Sequence, residues 1–151
     1  MSTTDTSQPV VVVGVDGSPN SIAAIEWAAS YLASSGGGTL KAVMSWTYPA
    51  AAVSSMGIGG AVPPADAMHE ATVEALAEVL GGIEIPESVT VESHALEGAP
   101  SSALIESGKD ADLIVIGKRG HGGFLGLLMG SVATQVVNHA PCPVVVVPAA
   151  D

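Results

Sequence analysis

The sequence predicts an α/β domain built on a mostly parallel sheet. Three observations carry that prediction. Short Val- and Ile-rich runs alternate along the chain with segments of helical periodicity. The runs are apolar at successive positions rather than at every second one, the pattern of strands buried on both faces. The length, 151 residues, suits one domain with a single core, and no internal repeat or second domain is visible.

Each element follows in order. Val10 to Val15 is a solid apolar run that stops at Asp16-Gly17-Ser18, so it reads as a buried strand and a turn. Ser18 can cap the next helix, and Pro19 suits its first position, where no N–H is needed. Ile22, Ile25, Ala29 and Leu32 then recur at helical spacing, and Gly36-Gly37-Gly38 ends the unit. Leu40 to Trp46 reads as the second strand. Thr47 to Pro64 is small and apolar with several Gly and Pro and no period. A loop of that length is either a functional lid or mobile segment or a disordered insertion.

Asp66 to Leu80 reads as a helix with Met68, Thr72, Leu76 and Leu80 on one face, closed by Gly81-Gly82. Val89 to Leu96 reads as the third strand, with Val89 and Val91 alternating. Ala99 to Gly108 is a short helix with Pro100 near its start, and Ala111 to Ile116 a fourth buried strand. A glycine-rich loop leads to a last helix, Ser131 to His139, and a last strand, Val144 to Val147. This β-α-β-α-β-α-β-α-β order implies right-handed crossovers and helices on both faces of the sheet.

Composition excludes several function classes. Hydrophobic residues make up 48% of the chain, yet no run approaches the roughly 20 apolar residues of a spanning helix. Met1 to Gln8 is polar, reads as a disordered tail before a domain at 9–148, and lacks the features of a signal peptide, so a cytoplasmic location is expected. Cys142 is the single cysteine, which excludes an intramolecular disulfide. It reads as a small buried apolar side chain or as a reactive thiol. A formal net charge of -11 disfavours DNA, RNA and anionic lipid, whose binding needs Lys and Arg beside phosphate. A small phosphate ligand stays compatible, because backbone N–H groups can hold it locally.

The loop from Gly117 to Ser131 is the place for such a ligand. Glycines let the backbone approach a ligand closely, and Ser131 falls at or near a helix N-terminus, which favours an anion. Its hydroxyl can cap that helix or donate to a phosphate oxygen. The chain has four Lys plus Arg, and Lys118 and Arg119 stand together here. Each can be a phosphate contact or a solvated surface charge. The loop is not a P-loop, since no Lys precedes Ser131, and Gly14-Val15-Asp16-Gly17 is not a dinucleotide fingerprint. Asp16 can face a ligand or simply open an Asp-Gly turn. His69, His94, His121 and His139 have no mutual metal-ligand spacing, and only His121 lies in the loop. No carboxylate cluster marks a metal site, although Mg²⁺ can accompany a triphosphate.

The spacing Gly117, two residues, Gly120, nine residues, Gly130-Ser131 resembles the ATP-binding motif of the universal stress protein family. Val-Gly-Val-Asp-Gly-Ser at 13 to 18 resembles that family's first strand and turn. Glu97-Gly98-Ala99-Pro100 resembles its third-strand exit, and Ala111 to Gly117 its fourth strand. Gly130-Ser131-Val132-Ala133 and His139 to Val147 resemble its closing helix and strand. The resemblance runs from Val10 to Pro148. It implies an open, five-stranded parallel sheet of order 3-2-1-4-5 with four helices, of the adenine nucleotide alpha hydrolase-like kind. It implies phosphate contacts at Gly117, Gly120, Gly130 and Ser131, with a backbone N–H from Val132. Asp16 would lie beside ribose and adenine, Val43 would line the adenine pocket, and Gly98 and Ala99 would lie near the ribose. In that order Asp16 and Gly117 would share one crevice at the strand C-termini, where open α/β sheets bind ligands.

The last strand, Pro143 to Val147, would then be an edge of consecutive valines with no Lys to protect it. Pairing with its own copy about a two-fold axis would solve that, and the resemblance implies the same homodimer. An N-terminal tail or the long loop covering the edge is the alternative. The leading functional expectation is an ATP-binding, non-enzymatic regulatory protein of stress response, whose downstream protein partner no residue identifies. A slow ATPase is one alternative, with Lys118 or Arg119 stabilising the phosphoryl group and Asp16 or His121 positioning water. Binding of cyclic AMP or AMP is the other. A phospho-receiver domain and a PP-loop pyrophosphatase lack their required residues here.

Overall fold

Val11, Val12 and Val13 are each fully buried, because successive residues of this strand serve two separate cores. In the computed structural model, which describes residues 7–48, 63–119 and 129–148, β1 is Val10–Gly14. Val11 and Val13 pack on one face with Ala24, Ile25, Ala28 and Leu32 of α1 (Pro19–Ser34) and Leu76 of α2 (Ala65–Gly81). Val12 packs on the other face with Ala103 and Leu104 of α3 (Pro100–Ser107) and Ala133 and Val136 of α4 (Ser131–His139). An unbroken apolar run is what such a double-sided position demands.

The remaining strands are β2 (Gly38–Trp46), β3 (Val89–Glu97), β4 (Leu113–Gly117) and β5 (Val144–Val147). They form one five-stranded sheet of order β3-β2-β1-β4-β5, and every pairing is parallel. The register sets Val13 beside Ala42 on one side and Val115 on the other. The α/β architecture, the strand order and the four helices, counted among the described residues, agree with the sequence expectation.

Element ends move by up to two residues, and distant hydrogen bonds explain why. β2 begins at Gly38 because Gly38 N–H donates to Ser88 C=O and Thr39 N–H to Pro9 C=O. A Cβ on Gly38 would stand 2.5 Å from the Pro9 carbonyl oxygen and 2.7 Å from Leu32 Cδ2. This glycine therefore permits close packing at the start of β2, while α1 has already ended at Ser34. At the other side of the sheet α3 ends at Ser107 and tightens into a 3₁₀ turn, Gly108–Asp110. β4 starts only at Leu113. Asp112 just before it clamps β1, its N–H donating to Val10 C=O and its carboxylate accepting Val10 N–H at 2.8 Å.

On α2 the expected face is Thr72 and Leu76, both buried, with Met68 and Leu80 half-buried. The ends of the long segment after β2 are drawn together by aromatic side chains. Trp46 packs edge-on against Tyr48 at 5.7 Å, and the Tyr48 hydroxyl donates to Pro63 C=O. The body of that segment, 49–62, lies outside the described residues, as does most of the expected N-terminal tail. Among the described residues no helix is long and apolar enough to cross a membrane.

Candidate functional site

β1 and β4 are neighbours in the centre of the sheet, and from them the chain runs outward in opposite directions. Such a reversal leaves a crevice at the carboxyl ends of the two strands. A cavity of about 750 Å³ opens there, within the size range of small-ligand pockets.

The turn after β1 forms the first wall. Asp16 Oδ1 accepts the Ser18 N–H at 2.8 Å, the side-chain-to-backbone bond of an Asx turn. Gly17 follows with φ +81, which only glycine adopts without strain. Ser18 caps α1, its Oγ accepting Ser21 N–H at 3.2 Å, and Ser21 Oγ donates to Ser18 C=O at 3.0 Å. Ser18 and Ser21 are both buried, so this network fixes the turn rigidly. Asp16 thus performs its turn role and also lines the cavity.

The second wall follows β4. A Cβ on Gly117 would fall 2.6 Å from Asn20 Cβ and 2.8 Å from the Asn20 backbone carbon. The first turn of α1 thus packs too closely on β4 for any side chain at 117. Sequence reasoning assigned this glycine to ligand approach; the structure gives it a packing reason as well. Lys118 next donates its N–H to Val147 C=O at 2.8 Å and accepts Gly130 N–H at 2.9 Å. Arg119 lines the cavity.

Gly130 is the N-cap of α4, with φ -74 and ψ 170, a backbone any residue adopts. It brings no side chain to the cap, and its own N–H is committed to Lys118. The first-turn N–H groups beyond it have no partner within the helix. Ser131 is the first helical residue rather than the cap, so its hydroxyl does not cap α4. Thr134 Oγ1 donates to Gly130 C=O at 2.9 Å.

Asp16, Val43, Gly117, Gly130, Ser131 and Val132 are all brought to this one cavity. Gly98 and Ala99 are not among its lining residues. Gly98, at φ +136, donates its N–H to Trp46 C=O, Ala99 caps α3, and Pro100 is the first residue of that segment to line the cavity. Gly120 and His121 lie outside the described residues. Sequence reasoning did not place Ser18, Met44, Ser45, Leu104, Thr134 or Gln135 here. Thr134 and Gln135 had a legible signal, since they share the Ser131 face at i+3 and i+4.

Other chemistry-bearing side chains stand elsewhere. His94 meets Glu92 at 3.1 Å on the exposed side of β3. Cys142 is half-buried against the core formed with α3 and α4. Burial pushes its thiol pKa up, and the Asp112 carboxylate adds to the rise. Among the described residues no group of three or more His, Cys, Asp or Glu is placed to hold a metal ion.

Comparison with known proteins agrees with this architecture. Residues 9–148 match the model of the Universal stress protein family. A universal stress protein of Mycolicibacterium smegmatis is 36% identical over 142 residues, covering 91% of this chain and 45% of that protein. The chain thus spans about half the length of the curated relatives that it matches over most of its own length. A crystal structure of a universal stress protein in complex with cAMP has a TM-score of 0.64 and 25% identity, over 96% of this chain and 100% of that one. The universal stress protein from Archaeoglobus fulgidus in complex with dAMP is similar in fold, at TM-score 0.56 and 22% identity over 93% and 97% of the two chains. With its strand order, its crevice and a match over nearly its whole length, the chain belongs to the universal stress protein family.

Proposed function

We propose that this protein binds ATP in the crevice between β1 and β4 and acts as a nucleotide-dependent regulatory homodimer in stress response, in the cytoplasm. The observation that carries the reading is the convergence of Asp16, Val43, Gly117, Gly130, Ser131 and Val132 on one cavity. The phosphates lie along the 117–131 loop and at the N-terminus of α4, where the unpartnered first-turn N–H groups and the helix dipole favour an anion. The base lies against Val43, and the ribose beside Asp16 and the Gly98-Ala99 corner. Mg²⁺ enters with the triphosphate, held through phosphate oxygens and water.

A second reading takes cyclic AMP or AMP as the ligand. Its support is the two similar structures whose ligands are cAMP and dAMP. Mass spectrometry of the nucleotide that co-purifies, followed by competition among ATP, AMP and cyclic AMP, separates the two. Gly130→Val and Ser131→Leu fill the space at the α4 N-terminus and should empty the site. A wild-type protein that carries and binds no adenine nucleotide would remove both readings.

The homodimer reading rests on β5. It is an edge strand, and Val144, Val145 and Val146 are only half-buried in the single chain. Exposed apolar edges invite pairing, and a second copy supplies it with two-fold symmetry. Val145→Lys should convert the dimer to monomer in light scattering. A dimer of unchanged mass in that variant counts against this interface.

A further inference from the structure

We propose that Arg119 sets the charge preference of the cavity, selecting polyphosphate over singly charged nucleotides; this rests on the nucleotide reading above and deepens it. Asp16 and Arg119 are the charged side chains among the residues that line the cavity. They leave β1 and β4, adjacent parallel strands, at the same end. Their formal charges cancel, so the lining formed by the described residues is formally neutral inside a chain of formal net charge -11. Without Arg119 the lining carries the Asp16 charge alone, and the site takes the sign of the whole molecule. A ligand is then opposed in proportion to its own negative charge.

The neighbouring cation does not share this role. Lys118 is adjacent in sequence and half-buried, but it is not among the lining residues. Its contribution is structural, through the two backbone hydrogen bonds to Val147 and Gly130. Arg119 makes no ion pair with a described residue. Its half-buried position lowers the local screening that weakens surface charges. A guanidinium also offers several N–H donors in a fixed plane, suited to two phosphate oxygens at once.

The test compares wild type, Arg119→Gln and Arg119→Lys by titration calorimetry with ATP, AMP and cyclic AMP at low and at physiological salt. A hydrogen bond to a charged group corresponds to roughly a 10- to 100-fold loss when removed. Arg119→Gln should weaken ATP by that factor, AMP by less, and cyclic AMP by less than about threefold, and should flatten the salt dependence of ATP binding. Arg119→Lys should restore part of the ATP affinity. An equal loss for all three ligands, or no loss for any, overturns the charge-selection role while leaving the nucleotide site standing. A wild-type protein that binds none of the three overturns both.

Discussion

At the scale of single residues, Gly117 shows how two demands can meet at one position. It lines the cavity, yet a side chain there would meet Asn20 Cβ at 2.6 Å and the Asn20 backbone carbon at 2.8 Å. Gly117→Ala should therefore lower stability by about 1–3 kcal/mol, the usual effect of overpacking. Urea denaturation checks this, and Asn20→Ala should not rescue it, because backbone atoms also obstruct. Cys142 gives a pH-dependent expectation. With its pKa raised by burial and by Asp112, the thiol stays protonated beyond the pH at which a free thiol ionises. Iodoacetamide should label it more slowly than an unstructured thiol at pH 8, and unfolding should abolish the difference. The sign is that of a raised acid. Whatever stability this group contributes is whole at neutral pH and is lost only as pH climbs through its folded pKa. That Gly117, Gly130 and Asp16 stand at the cavity was legible in the sequence because their turn and cap chemistry is local, whereas Gly98 does not line it. Arg119 was legible only as one of two alternatives, phosphate contact or solvated charge, and Thr134 and Gln135 only through their spacing from Ser131, because the choice depends on which way the loop and the α4 face turn relative to the sheet.

At the scale of elements, α1 depends most on its first turn. Ser18 supplies the cap, Pro19 the first helical position, and no acidic residue assists in that turn. Ser18→Ala should reduce stability by about 1 kcal/mol, read as a shift in the chemical denaturation midpoint with an unchanged slope. The existence and type of every described strand and α-helix were legible because unbroken apolar runs and 3.6-residue periodicity are strong signals, whereas the 3₁₀ turn Gly108–Asp110 was not. The boundaries were less so. Asp112 belongs to a clamp on Val10, and Gly38 to a close approach by Pro9. Both bonds join segments far apart in sequence, which a local pattern cannot contain. The strand order came from the family resemblance, since periodicity alone leaves the arrangement of parallel strands open.

At the scale of the whole molecule, charge is the dominant feature. There are 15 Asp plus Glu against four Lys plus Arg, and the two ion pairs found among the described residues lie at exposed sites. Exposed pairs of this kind contribute little, so like-charge repulsion is poorly offset. The thermal midpoint should rise as NaCl is increased from about 10 mM to about 150 mM, as the screening length falls from roughly 30 Å to roughly 8 Å. A midpoint that falls over that range would mean attractive pairs outweigh repulsion.

Lys118 carries a consequence that reaches across these scales. Its N–H holds the last carbonyl of β5 and its C=O holds the cap of α4. The seam where two copies would join and the mouth where a nucleotide would enter are therefore riveted through one residue. Any coupling between nucleotide affinity and assembly carried through that residue would be thermodynamically reciprocal: a ligand that tightened the mouth would steady the seam, and dilution that parted the copies would slacken the grip.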